Sequence, residues 1–222
     1  MCRRFWAKKA SLHHCNVSPL IQSERTTLMK RHISLIFSLA SLFIFPLLTR
    51  AQEIDEMPLE PKTRLEVFEA RGGVVVIKGF SRIGVAAGSD GSSIEVETRE
   101  LRDAESGSKE YGITIEVRDA GKPERRRLSF IDYDEMEPLL KGLEYLSRID
   151  NSVTRLNRFE ADYRTRGDLV VSAFSGRGGN VSLSITSGVF RKVYALFKLE
   201  DLKVIRGLII EAKNQLDAIR QK

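Results

Sequence analysis

The spacing of hydrophobic residues in this 222-residue chain changes twice from a period of two residues to a period of 3.6. A period of two is typical of a strand with one buried face, and a period of 3.6 is typical of an amphipathic helix. The strand patterns contain Tyr111, Ile113, Ile115 and Val117, and later Val181, Leu183 and Ile185. The helical patterns contain Met136, Leu139, Leu140, Leu143, Leu146 and Ile149, and later Leu202, Ile205, Ile209, Ala212, Leu216 and Ile219. We therefore predict an α+β fold with two related units of antiparallel strands, each closed by one amphipathic helix.

Local similarity supports an internal duplication. RLEVFEARGGVVVIKGFS (64–81) aligns with RFEADYRTRGDLVVSAFS (158–175), and LLKGLEYL (139–146) aligns with VIRGLIIE (204–211). We predict a first unit over 52–151, with a helix at about 134–150 and one or two additional strands. The second unit covers 152–222, with four strands and a helix at about 199–220. Gly142 and Gly207 lie inside the two helices at the same place, which predicts a close backbone approach there, either between the two helices or between each helix and its own sheet.

The duplication also bears on the tripeptide Arg166-Gly167-Asp168, which has the sequence of an adhesion signal. The alignment pairs Arg166-Gly167 with Arg71-Gly72, which lacks the aspartate. A tight turn before a strand requires only the glycine, which adopts positive φ at low cost. We therefore interpret the tripeptide as part of the building block.

The N-terminal region has the layout of a secretory signal peptide. Lys30 and Arg31 precede an apolar stretch of sixteen residues, 33–48, and small residues follow before Gln52. We predict a leader over 1–51, in which residues 1–28 are an extension upstream of Met29 and 29–51 are the signal peptide. The mature protein is then secreted or periplasmic and has no stable membrane span, whereas an uncleaved anchor is the alternative interpretation.

Removal of the leader changes the chemistry that is available. All cysteines, histidines and the tryptophan lie within residues 1–51, so thiol catalysis, Ser-His-Asp chemistry and ordinary zinc or copper sites are excluded from the mature chain. We predict no metal and no cofactor. The leader holds 8 of the 36 basic and 1 of the 30 acidic residues, which leaves 28 and 29 and a net charge of −1. Residues 52–150 carry −7 and residues 151–222 carry +6, so the halves attract one another, or the second half holds an anion.

A repeated strand-rich unit closed by a helix resembles, in its order of elements, the Whirly and PUR-type single-strand nucleic-acid-binding proteins. The resemblance implies a single-strand nucleic-acid binder if the protein is not exported. Export and a nearly neutral mature chain argue against nucleic acid as the partner.

Two charged segments are candidate sites. Asp132, Asp134, Glu135 and Glu137 suit a carboxylate-based hydrolase, but Asp134 and Glu137 also match a helix-capping pattern, which we favour. The segment KPERRR (122–127) suits an anion or nucleic-acid patch, but Pro123 between two strand patterns favours a solvated hairpin loop.

The second unit offers a set of donors for an anionic ligand. Guanidinium, ammonium and hydroxyl groups on a rigid sheet suit carboxylate, sulfate or phosphate groups, whereas an ordinary solvated face is the alternative. The candidate ligand-binding residues are Arg164, Arg166, Arg177, Ser182, Ser184, Thr186, Arg191 and Lys192. We therefore expect an exported, non-enzymatic protein that acts by surface binding to an anionic ligand or to another protein.

Overall fold

The computed structural model describes residues 60–221, without the side chains of 122–124 and 177. The leader that the sequence predicts, 1–51, lies outside the described residues. Three α-helices, eight strands and two short 3-10 turns are present in the described part. The first unit contains α1 (Arg64–Glu69), β1 (Val76–Ala87), β2 (Ser93–Asp103), β3 (Lys109–Asp119), β4 (Lys122–Asp132) and α2 (Tyr133–Leu146). The second contains β5 (Glu160–Arg164), β6 (Leu169–Ser175), β7 (Val181–Ser187), β8 (Val193–Lys198) and α3 (Leu202–Arg220), with 3-10 turns at Arg177–Gly179 and Leu199–Asp201.

The two units have the same order of four antiparallel strands and a closing helix, which confirms the duplicated α+β fold. Strands β1-β2-β3-β4 form the first sheet and β5-β6-β7-β8 form the second. The expectation of additional strands in the first unit is wrong. Its additional element is the helix α1, which begins after a capping box in which Thr63 accepts from the backbone N–H of Glu66.

The alternating pattern of each unit places one face of its sheet in the core. Ile113, Ile115 and Val117 of β3 are buried, as are Leu183 and Ile185 of β7. The two closing helices, α2 and α3, and both sheets contribute to one apolar cluster. A second, smaller cluster of Leu65, Phe68 and Leu101 lies under α1.

The closing helices pack across the two units. Helix α3 contacts β1, β2 and β3 of the first sheet, whereas α2 contacts β5 and β6 of the second sheet as well as its own β3 and β4. The two helices also contact one another. Ion pairs also connect the two units. Arg166 and Arg206 of the basic second half pair with Asp134 and Glu144 of the acidic first half, respectively.

A loop of each unit covers the free edge of the other sheet. The β1–β2 loop lies along β8, where the backbone N–H of Ser89 donates to the carbonyl of Leu196 at 2.7 Å and the N–H of Leu196 donates to Oγ of Ser92 at 3.1 Å. The β5–β6 loop approaches β4, where Gly167 lies against the backbone of Phe130. These contacts leave neither edge free to pair with another chain at those positions.

Glycine is required where each loop meets the neighbouring edge. A Cβ atom at Gly88 would overlap with the carbonyl oxygen of Leu196, and one at Gly167 would overlap with that of Phe130. The structural counterpart of Gly167 is therefore Gly88, and the sequence alignment that paired Gly167 with Gly72 is out of register.

No helix among residues 60–221 is long and apolar enough to span a membrane.

Candidate functional site

A groove lined mainly by basic side chains is the strongest candidate site. Its volume is about 670 Å³. We call it the basic groove, and its lining residues are Arg125, Arg126, Arg127, Phe190, Arg191, Lys192 and Val193. Five of these seven side chains are cationic, and none is acidic among the lining residues that the structure describes. The groove therefore presents concentrated positive charge on a mature chain that is predicted to be nearly neutral.

The segment 122–127 reaches the groove as part of a strand. Only Ala120 and Gly121 connect β3 to β4, and Gly121 adopts a φ of 69°. The predicted hairpin loop over 122–127 is therefore wrong, because the turn is shorter and the basic residues lie in β4. Strand alternation places Arg126 and Arg127 on opposite faces of β4, since Arg126 lies opposite Arg118 and Arg127 lies opposite the buried Val117.

The junction between the sheets brings the two halves of the groove together. Ser129 of β4 and Ser187 of β7 are buried, and their hydroxyl oxygens are 2.7 Å apart. Two residues before Ser129, Nε of Arg127 donates to the carbonyl of Arg191 at 3.4 Å. The start of β4 is thereby held against the β7–β8 connection.

Two of the arginines have an acidic neighbour on the surface. Arg125 pairs with Asp119 at 3.1 Å and Arg126 with Glu116 at 3.7 Å, although both arginine side chains remain about half exposed or more. Exposed pairs of this kind are worth about 0–1 kcal/mol, so a ligand anion can replace or share them. Phe190 is 75% exposed and adds a flat apolar surface to the charged lining.

The structure distributes the residues that the sequence proposed for ligand binding over several places. Arg191 and Lys192 line the basic groove. Ser182, Ser184 and Thr186 lie on the outer face of the second sheet, because they alternate with the buried Leu183 and Ile185. Arg164 shares that face, Arg166 joins an acidic cluster, and the backbone of Arg177 forms a 3-10 turn.

The outer face of the second sheet is less suited to an anion than the groove is. Its depression of about 470 Å³ is lined by Arg158, Phe159, Glu160, Phe174, Ser175 and Ser184, so one base and one acid balance there. Arg164 on the same face pairs with Asp162 at 2.5 Å. A ligand with one sign of charge gains little from such a surface.

The acidic segment at the start of α2 organises the surrounding backbone. Asp132 is fully buried and accepts from the backbone N–H groups of Arg64 and Leu65, at 3.0 and 3.1 Å, so it supports the first turn of α1. Asp132 is also the N-cap of α2 but makes no side-chain cap bond there. The predicted capping by Asp134 and Glu137 is therefore wrong, since Asp134 instead accepts from Arg64 and Arg166, at 2.8 and 2.7 Å.

These contacts favour a structural role for the acidic segment. Burial acts to raise the pKa of Asp134, but the hydrogen bond and charge of Arg166 outweigh it and hold the pKa below its usual value. The hydrogen bond to Asp134 in turn raises the pKa of Arg166. A general acid at neutral pH needs the opposite shift of a carboxyl group. No group of three or more side chains suited to a metal ion occurs in the part of the chain that the structure describes.

The adhesion-like tripeptide belongs to the same network. Arg166 donates to Asp134 and, from its backbone N–H, to Glu135 at 2.8 Å. Asp168 accepts from Lys62 at 2.7 and 2.9 Å and has a φ of 61°. Because both charged side chains have partners and Gly167 is buried, the tripeptide connects β5 to β6 rather than presenting a free loop tip.

Comparisons of the chain with protein-family models, with curated proteins and with solved structures found no match.

Proposed function

We propose that this protein is an exported, non-enzymatic binding protein that holds an acidic polysaccharide in the basic groove. The single observation that carries the proposal is that five basic residues line one groove, namely Arg125, Arg126, Arg127, Arg191 and Lys192. Guanidinium groups bind carboxylate and sulfate groups through paired, charge-assisted hydrogen bonds. A row of bases also gains affinity from the counterions that a polyanion releases.

The lining of the groove supports a ligand with several anionic groups and flat units. Its bases come from a strand and from a neighbouring connection, so several anionic groups can be bound at once. Phe190 offers an aromatic ring against which the apolar face of a sugar can pack. The mixed charge of the second sheet's outer face makes that surface the weaker candidate.

Charge reversal tests the groove directly. Arg126→Glu and Lys192→Glu should each weaken binding of the sulfated polysaccharide heparin by about tenfold or more and reduce the salt dependence of affinity. Isothermal titration calorimetry of the purified protein at two salt concentrations measures both effects. Lys141→Glu, an exposed residue of α2, is the matched control and should bind like the unmodified protein. The proposal fails if both groove variants bind as tightly as this control.

A further variant separates the groove from the sheet face. Arg164→Glu reverses the same charge on the outer face of the second sheet and should leave heparin affinity within about twofold. A loss as large as that of the groove variants would move the site to that face.

A second candidate ligand is single-stranded nucleic acid. An exposed aromatic ring beside several bases is also a feature of sequence-tolerant strand binding, because bases stack on aromatic side chains. The resemblance in element order points the same way. A thymidine oligonucleotide that binds more tightly than heparin at equal salt would favour this candidate.

The export part of the proposal has its own test. It rests on the basic segment, the apolar stretch and the small residues before Gln52. The intact mass of the native protein from the exported fraction should be that of a chain beginning at Gln52. A full-length protein in the cytoplasm would contradict export and would place the nucleic-acid candidate first.

A further inference from the structure

The side of helix α3 that faces away from the first sheet carries an exposed apolar strip. Leu202, Ile205, Ile209, Ala212 and Leu216 are buried against the core. Val204 and Ile210 are instead 55% and 37% exposed. Both lie three residues from the exposed Gly207, so the three share one face of the helix.

Packing among the described residues does not require a glycine at position 207. A Cβ atom added there would meet nothing within 4 Å, whereas one added at the equivalent Gly142 would overlap with the ring of Tyr163. A glycine inside a helix costs about 1 kcal/mol relative to alanine. A surface that another backbone approaches closely accounts for a glycine at such a position.

The charges around Gly207 are arranged symmetrically. Lys203 lies four residues before it and Glu211 four residues after it, and both are exposed. Four residues of helix span about 6 Å, so the two charges flank the glycine at equal distances along the axis. Neither side chain forms an ion pair with another described residue.

We propose that two copies of this protein associate through their α3 helices, which cross antiparallel at Gly207. A twofold axis at this point brings Lys203 of each copy toward Glu211 of the other, so the interface contains two equivalent ion pairs. Val204 of each copy then faces Ile210 of the other. A parallel arrangement would instead bring like charges together. This self-complementarity is what a closed twofold interface requires.

The association is expected to be weak and reversible. One helix pair buries less surface than a standard protein–protein interface, which covers about 1,600 Å² in total. The dimer should therefore form across the micromolar range of protein concentration.

Charge exchange tests this arrangement. Lys203→Glu and Glu211→Lys should each raise the dimer dissociation constant by about tenfold or more, because each replaces two attractive pairs with two repulsive pairs. The double variant K203E/E211K restores opposite charges and should return the dissociation constant to within about threefold of the unmodified value. Sedimentation equilibrium of the purified proteins provides the constants.

Lys141→Glu changes the charge by the same amount on α2 and should leave the dimer intact, and thermal unfolding verifies that every variant is folded. A protein that stays monomeric at all concentrations overturns the proposal. A dimer that neither single variant weakens, or that the double variant fails to restore, overturns it as well.

Discussion

Gly142 and Gly207 occupy equivalent places in the two closing helices, yet only one of them is needed for packing within the chain. At Gly142 the ring of Tyr163 from β5 lies against the backbone of α2, so the second sheet contacts the helix of the first unit there. At Gly207 the corresponding space is open. The sequence predicts close approach at both glycines, between the helices or between each helix and its own sheet. The approach at Gly142 comes instead from the sheet of the other unit, and at Gly207 no described residue approaches.

This difference predicts opposite effects for one substitution. Gly142→Ala should lower the free energy of unfolding by about 1–3 kcal/mol, because the methyl group forces the Tyr163 ring to move. Gly207→Ala should raise it by about 1 kcal/mol, because alanine favours the helix and meets no neighbour. Urea unfolding at a protein concentration low enough to avoid self-association measures both. Equal effects of the two substitutions would contradict the packing that the structure assigns to Tyr163.

At the scale of elements, the sequence predicted what local periodicity determines. The alternating residues of β3 and β7 and the helical faces of α2 and α3 have the predicted burial, apart from the half-buried Tyr111, Val181 and Ile219. Ile149 is buried as predicted, but α2 ends at Leu146, so the predicted helix end near residue 150 is wrong. Glycine-containing segments form the connections before β2 and before β7. These features depend on residue patterns within short segments, and hydrophobic periodicity in the sequence reveals such patterns.

The sequence alignment of the two units is incorrect where similar residues belong to different structural elements. RLEVFE forms the helix α1, whereas its aligned partner RFEADY contributes to β5. The run VVVIKGFS enters β1, whereas LVVSAFS forms β6. A short β-branched run suits any strand of such a sheet, so the resemblance did not identify equivalent strands.

At the scale of the whole molecule, the arrangement of the units depends on contacts between distant residues. The packing of α3 on the first sheet and the exchange of loops across sheet edges have no local signature. The opposite charges of the two halves did indicate that they attract, and the pairing of Arg166 with Asp134 and of Arg206 with Glu144 agrees with that expectation.

The basic groove arises at the same scale. The sequence predicts Arg191 and Lys192 as ligand-binding residues, but it places residues 125–127 in a hairpin loop. These two segments lie side by side because β4 contacts β7 at Ser129 and Ser187, which are 58 positions apart in the sequence. No pattern within either segment indicates that junction.

Nuclear magnetic resonance can map which residues of the protein contact a bound ligand. A heparin oligosaccharide should be titrated into the isotopically labelled protein while the backbone amide signals are followed. We predict that the largest changes fall on residues 125–127 and 190–193, and that they saturate together. Changes confined to the outer face of the second sheet, or no saturable change at all, would contradict the assignment of the basic groove as the binding site.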